Sequence, residues 1–306
     1  MFSIIPQLKY DNGIMMKELR SKLYLDSSRT EFASDIFNTV QLLVADKLKG
    51  STSHRRLLLG QKGVGKTALL NAIQEVIALH FSDQIICVFK SYDPCAGPIE
   101  RITDTISARL GYAFNATGSY DRMKELEQEL TKQGKYLVVI ADDFQNCFRK
   151  QPENVRSNIA DFYLFGEARG GRIHCIICGN SNILRQLCFG KLPEHRKPEF
   201  PAYEGYDFNS TKFPAVRIYP FLQPDDFKQV ICTILCDEKA LFAPELYRRW
   251  YLTSGGYARI LHMVLPSSDD TNVDPYTISS NPWDNQTISL SETSFYYQYS
   301  MLCPLI

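Results

Sequence analysis

Leu57-Leu58-Leu59-Gly60-Gln61-Lys62-Gly63-Val64-Gly65-Lys66-Thr67-Ala68-Leu69-Leu70 is the stretch that decides the fold. Leucines run into a glycine, Gly60 to Thr67 follow the spacing G-x-x-x-x-G-K-T, and a helical apolar pattern takes over at once. A strand feeding a glycine-rich loop and then a helix is a device for gripping phosphate. Glycines let the backbone curl until successive N–H groups point at one anion. The helix behind the loop adds its positive N-terminal end. In this register Lys66 supplies a point charge for the β- and γ-phosphates, and the Thr67 hydroxyl a ligand for Mg²⁺. Gly60, Gln61, Lys62, Gly63, Val64, Gly65, Lys66, Thr67 and Ala68 are therefore expected to cradle a nucleoside triphosphate, read as ATP with Mg²⁺. GTP is disfavoured because the sequence holds no guanine-reading N-K-x-D motif.

Working outward, short apolar runs alternate with helical patterns. Strands are expected at 56–59, 84–89, 136–140, 173–178 and 215–219, and helices at 66–80, 98–110, 120–133 and 154–168. Before them, residues 14–50 read as helical, with Phe32, Ile36, Val40 and Leu43 at helical spacing. Such alternation implies a parallel sheet covered on both faces, an α/β fold. From Pro224 onward only helical patterns occur, at 224–235, 243–253 and 256–265. The expected organisation is an N-terminal helical segment (1–50), a P-loop core (51–222), a small helical lid (223–265) and an acidic tail (266–306). The tail carries no Lys or Arg and ends in a tyrosine-rich cluster. It reads either as a flexible extension or as an acidic, aromatic peptide for a protein partner.

Val138-Val139-Ile140-Ala141-Asp142-Asp143 is an apolar strand ending in two carboxylates. Mg²⁺ is a hard cation that keeps several waters, and an acid at a strand tip beside the phosphates suits it. Asp142 is expected to hold the metal and Asp143 to polarise the attacking water. A polar turn after a strand is the plainer reading. Cys178-Gly179-Asn180-Ser181 closes the next strand, whose tip lies on the same sheet edge as the loop. Asn180 or Ser181 either touches the γ-phosphate or attacking water, or caps the helix that follows. Arg259 follows Gly255-Gly256 in what reads as a helix's first turn, where the dipole disfavours a cation unless an anion joins it. Arg185 and Arg196 are the candidates for an arginine finger that reaches a neighbouring subunit's nucleotide. Cys175 and Cys178 are rejected as a metal pair, since residues three apart on a strand face opposite sides.

The chain has 306 residues and a formal net charge of zero. No whole-molecule field pulls in nucleic acid or an anionic membrane. Nine scattered cysteines, no signal-peptide pattern and no long apolar run favour an intracellular setting, cytoplasm or nucleus, with no transmembrane segment.

The order of features — phosphate loop, Asp142-Asp143, Asn180-Ser181, then a helical lid with Gly256-x-x-Arg259 — resembles the AAA+ and STAND class of P-loop ATPases over about residues 30–265. The lid start Tyr219-Pro220-Phe221-Leu222-Gln223-Pro224-Asp225-Asp226-Phe227 is similar to that of origin-recognition ATPases. A looser similarity is to the ATPase modules of crinkler and retrotransposon-hot-spot proteins. The resemblance implies strand order 5-1-4-3-2, Asn180 as sensor 1, Arg259 as sensor 2 and ATP-driven conformational change. The chain departs from the family in carrying Asp143 where glutamate is usual. Two functions are expected from it: a Mg²⁺-dependent ATPase acting as a machine or switch, alone or as a homo-oligomer, or an ATP-holding regulatory module with little turnover. A replication-initiator-like, DNA-associated ATPase is a third reading, disfavoured by the neutral charge.

Overall fold

A computed structural model describes residues 12–48, 55–92, 100–149, 152–165, 170–180, 183–184, 187, 194–199, 215–221, 229–230 and 254–257. Helices α1 (Asn12–Lys22) and α2 (Ser27–Val44) precede β1 (Arg55–Gly60) and α3 (Lys66–Phe81). Next come β2 (Ile85–Ser91), α4 (Ile102–Leu110), α5 (Ser119–Lys132), β3 (Tyr136–Asp142), a 3-10 turn (Phe144–Arg149) and α6 (Pro152–Phe165). Strands β4 (Ile173–Asn180) and β5 (Ala215–Arg217) complete the sheet.

All pairings are parallel, and the order is β2-β3-β4-β1-β5. Read from the other edge this is 5-1-4-3-2, the order the resemblance implies. Every residue of β3 is buried, and so is all of β4 but Asn180. Continuous burial of this kind needs cover on both faces. Alternate residues Leu137, Val139, Ala141 and Cys175, Ile177 join Ile102, Ile106, Leu126, Leu130, Ile159 and Phe162 of α4, α5 and α6 in one core. The intervening residues Val138, Ile140 and Ile176 are also fully buried and point the other way. On that side α3 packs on β2, and α2 packs on β4, β5 and α3. Phe32, Ile36, Phe37 and Val40 of α2, with Leu69, Ile73, Val76 and Ile77 of α3, supply the apolar cover.

The helix expected across residues 14–50 is two helices, with the chain out of helical conformation at 23–26. Apolar spacing runs on through Leu25, which is why periodicity alone bridges the gap. Asp26-Ser27-Ser28 is the local counter-signal, since such residues favour helix starts. Strand β3 runs beyond the apolar run and takes in Ala141 and Asp142.

The chain divides into two units. One holds the sheet and its helices; the other gathers Lys22–Asp26, Lys62–Gly65 and the chain from Tyr219. Within the second, Ser254 is helical, while Gly255 and Gly256 follow with φ of 56° and 75°. The Phe221 N–H donates to Gly256 O at 2.9 Å, and the Tyr24 and Phe221 rings lie 5.9 Å apart. Most of the expected lid, all of the tail, and Ser181, Arg185 and Arg259 lie outside the described residues. Among the described residues no helix is long and apolar enough to cross a membrane.

Candidate functional site

Parallel register sets which side chains share the sheet's C-terminal edge. Gly60 pairs with Asn180, and Asp142 pairs with Ser91. Gly60 at the end of β1, Asp142 at the end of β3 and Asn180 at the end of β4 thus meet along one edge. In the loop itself Gly63 and Gly65 take φ of 88° and 92°, a left-handed region that side chains other than glycine rarely occupy. This is the curl that turns N–H groups toward an anion. Helix α3 begins at Lys66, directly behind it.

Lys66 is buried, and its ammonium donates to Gly60 O at 3.0 Å and Gln61 O at 2.8 Å. An ammonium has three donors, and these bonds use two of them. The carbonyls of Gly60 and Gln61 therefore hold the charge beside the end of β1. The Thr67 hydroxyl donates to Asp142 Oδ2 at 2.5 Å, across 75 residues of sequence. Hard oxygen donors from the helix start and the strand tip are side by side, as a Mg²⁺ ion held partly by phosphate and water requires. Among the described residues no group of three or more His, Cys, Asp and Glu converges on a metal position.

Asp142 is 1% exposed, and its other oxygen, Oδ1, accepts the N–H of Asp143 at 2.9 Å. Asp143 then turns left-handed, with φ of 51°, and its carbonyl accepts the Asn146 N–H at 2.9 Å. Sequence reasoning missed the two residues that follow Phe144. Gln145 Nε2 donates to Asp143 Oδ1 at 3.1 Å, and Gln145 Oε1 accepts the Asn180 N–H at 3.1 Å. Asn146 Nδ2 donates to Tyr92 O at 2.9 Å, while the Tyr92 N–H donates to Asp142 O at 3.0 Å. The β3 tip is tied by side chains to both neighbouring strands.

Behind this edge lies a polar network that the sequence does not announce. Tyr92 Oη donates to Asn158 Oδ1 at 3.3 Å, which also accepts the Ile102 N–H at 2.8 Å. Arg101 donates to both Asp161 oxygens at 2.8 Å, to Thr117 O at 2.8 Å and to Ser119 Oγ at 2.6 Å. The Thr103 hydroxyl adds a donor to Asp161 at 3.2 Å.

Cys87, Cys147, Cys175 and Cys178 are free thiols, the last three buried. Burial pushes the Cys175 thiol up to about 12, against a small opposing pull from Arg55. Burial, then the Asp142 charge, pushes Cys178 well above the usual range, with Lys66 acting the other way. Both are core residues. Arg196 falls in the 3-10 segment Glu194–Glu199, its side chain outside the described set.

No protein-family model matches the sequence, and no curated protein does. Solved structures do. The chain superposes on the Aeropyrum pernix ORC2 protein in its ADPNP-ADP complexes with a TM-score of 0.51, at 16% identity, over 79% of this chain and 62% of that one. It matches the Aeropyrum pernix ORC1 protein in complex with DNA at 0.50 and 13% identity, over 83% and 62%. The parallel α/β fold of the chain is thus that of these origin-recognition proteins. Drosophila ORC bound to DNA shares it at a TM-score of 0.50 and 12% identity, over 86% of this chain and 62% of that one. The chain thus spans about three fifths of the length of these chains, 62% in each case.

Proposed function

We propose that this chain binds ATP with Mg²⁺ and hydrolyses it to ADP and phosphate, the cycle driving a conformational change. The observation that carries this reading is the Thr67–Asp142 hydrogen bond, which joins the end of the phosphate loop to the acid at the tip of β3, the next strand but one from β1. Its partners are distant in sequence and have the chemistry of a Mg²⁺ ligand pair. Thr67 and Asp142 would hold Mg²⁺, which would supply positive charge against that developing on the phosphates. The rest falls to the chain. Loop N–H groups and the Lys66 ammonium bind the β- and γ-phosphates. Asp143 takes the proton from water as its oxygen attacks the γ-phosphorus and the bond to the β-phosphate oxygen breaks. Asn180, at the tip of β4, contacts the γ-phosphate or the water as sensor 1. Arg259 is assigned as sensor 2, and Arg185 or Arg196 as the finger across a homo-oligomer, on family position alone.

One observation favours a slower, ATP-holding module instead. Asp143 is one methylene shorter than the glutamate usual in the family that the sequence resembles. Two similar structures were solved with DNA, which supports a DNA-associated role. The formal net charge of zero counts against a large electrostatic footprint. Steady-state ATP hydrolysis by the purified chain, with and without DNA and across protein concentrations, separates these readings. Turnover that needs Mg²⁺ and is lost in Asp143→Asn supports the ATPase; binding without turnover leaves the holding module. Turnover per chain that rises with concentration indicates a site shared between subunits.

A further inference from the structure

We infer that Gln145 is a positioning residue for water activation, fixing the Asp143 carboxylate relative to the tip of β4. This rests on the reading of Asp143 as the base. Gln145 is buried, and its amide faces two different groups. Nε2 donates to Asp143 Oδ1, and Oε1 accepts the Asn180 N–H. Only this orientation satisfies both neighbours, because a backbone N–H only donates and a carboxylate only accepts. The seat is tailored to the amide. A Cβ added at Gly179 would collide with Gln145 Oε1 and with Leu184 Cδ2, so glycine at 179 makes the room. One further constraint acts at the same point. The Asp143 backbone is left-handed, with φ of 51°, which removes freedom from the residue before its side chain is considered.

Asp143 sits just past the end of β3, and Asn180 is the last residue of β4. Without Gln145 nothing in their sequence positions fixes the distance between carboxylate and sensor. With it, a shift of the β4 tip is passed to the carboxylate through one rigid amide. An aspartate that reaches less far than glutamate needs its single productive placement held, and a misplacement of an ångström costs about a hundredfold in rate.

Two variants separate the amide's halves. Gln145→Leu removes both bonds. Gln145→Glu keeps an acceptor for the Asn180 N–H and loses the donor to Asp143. Each is compared with wild type and Asp143→Asn for kcat, for ATP affinity, and for amide exchange at Asn180 without nucleotide. Both Gln145 variants should lose about ten- to a hundredfold in kcat while ATP affinity stays within about twofold. Exchange at Asn180 should quicken severalfold to about tenfold in Gln145→Leu and stay slow in Gln145→Glu. Wild-type kcat in both variants, beside an inactive Asp143→Asn, overturns the role of Gln145 and leaves the base in place. Parallel loss of kcat and ATP affinity makes Gln145 a mere scaffold residue and overturns it too. Unchanged Asn180 exchange in Gln145→Leu refutes the link to β4. A wild type that Asp143→Asn matches in turnover removes the base, and the positioning role with it.

Discussion

Asp161→Ala is the sharpest test of how the acid edge is supported. The carboxylate is almost wholly buried, its side chain 1% exposed, while that of Arg101 is 13% exposed. It receives a two-pronged guanidinium and the Thr103 hydroxyl. Truncation leaves Arg101 with Thr117 O and Ser119 Oγ but without its bonded counter-charge, only the Asp104 charge remaining nearby. Breaking a buried pair from one side typically costs about 3–5 kcal/mol. Arg101 keeps some solvent and two bonds, which points to the low end, about 3 kcal/mol. With a urea m-value of about 2–3 kcal/mol/M, the midpoint should fall by about 1–1.5 M. Chemical denaturation followed by tryptophan fluorescence and by far-UV circular dichroism measures it. Because the pair can be exchanged for apolar groups at little net cost, Arg101→Met/Asp161→Leu should recover much of the loss. A single-mutant loss under about 0.5 kcal/mol, or a double mutant that merely adds the single effects, would refute the argument.

Three further outcomes follow from the site and the core. Lys66→Ala should abolish binding of a fluorescent ATP analogue while the protein stays folded; retained affinity would remove the phosphate-loop reading. Asp142→Asn should mainly weaken the Mg²⁺ dependence of nucleotide binding, whereas Asp143→Asn should keep ATP bound and slow hydrolysis by about 10²- to 10⁴-fold; a titration with and without Mg²⁺, beside a turnover assay, tells them apart. The Cys175 thiol, raised by burial from the ordinary 9.0 to about 12, binds its proton more tightly folded than unfolded. Its contribution is therefore complete below pH 9 and drains away as pH climbs toward 12. Urea midpoints between pH 8 and 11 should fall less steeply in Cys175→Ala than in wild type, and equal slopes would contradict the assignment.

What the sequence reveals here follows from how local each signal is. The strand–loop–helix unit at 57–70 carries its own evidence, because glycine spacing, apolar strand and helical periodicity are all short-range. From it, with the other apolar runs, the parallel sheet and its edge are legible. The end of β3 is less so. Ala141 breaks the run of large apolar residues and Asp142 is charged, yet both belong to the strand. Asp142 tolerates burial because Thr67 and the Asp143 N–H satisfy it, and neither bond is visible in a hydropathy pattern. Arg101 and Asp161 are 60 positions apart, and Gln145 and Asn180 are 35 apart. No window of local sequence links such pairs. A polar Gln-Asn after two acids reads as an ordinary turn, so the residues that tie the edge together stay hidden.

Aspartate at position 143, where the family that the sequence resembles carries glutamate, has a backbone reason. By length alone, aspartate in place of glutamate looks like a weakened base, since it brings the carboxylate one methylene less far. The structure adds a second variable, the left-handed φ of 51°. A side chain other than glycine enters that region at a cost, and aspartate and asparagine do so more readily than most. Glutamate has no such tolerance. The chain at this point thus trades reach for a turn that directs the main chain into the Phe144–Arg149 segment, where Gln145 and Asn146 bind the neighbouring strands. Asparagine shares the tolerance, so Asp143→Asn removes the carboxylate's charge without disturbing the turn. Asp143→Glu is the opposite probe: it restores the family's residue type but strains the backbone. If length were the limiting factor, Asp143→Glu would raise turnover; if the turn and its tie to β4 govern, turnover falls although the longer acid is present.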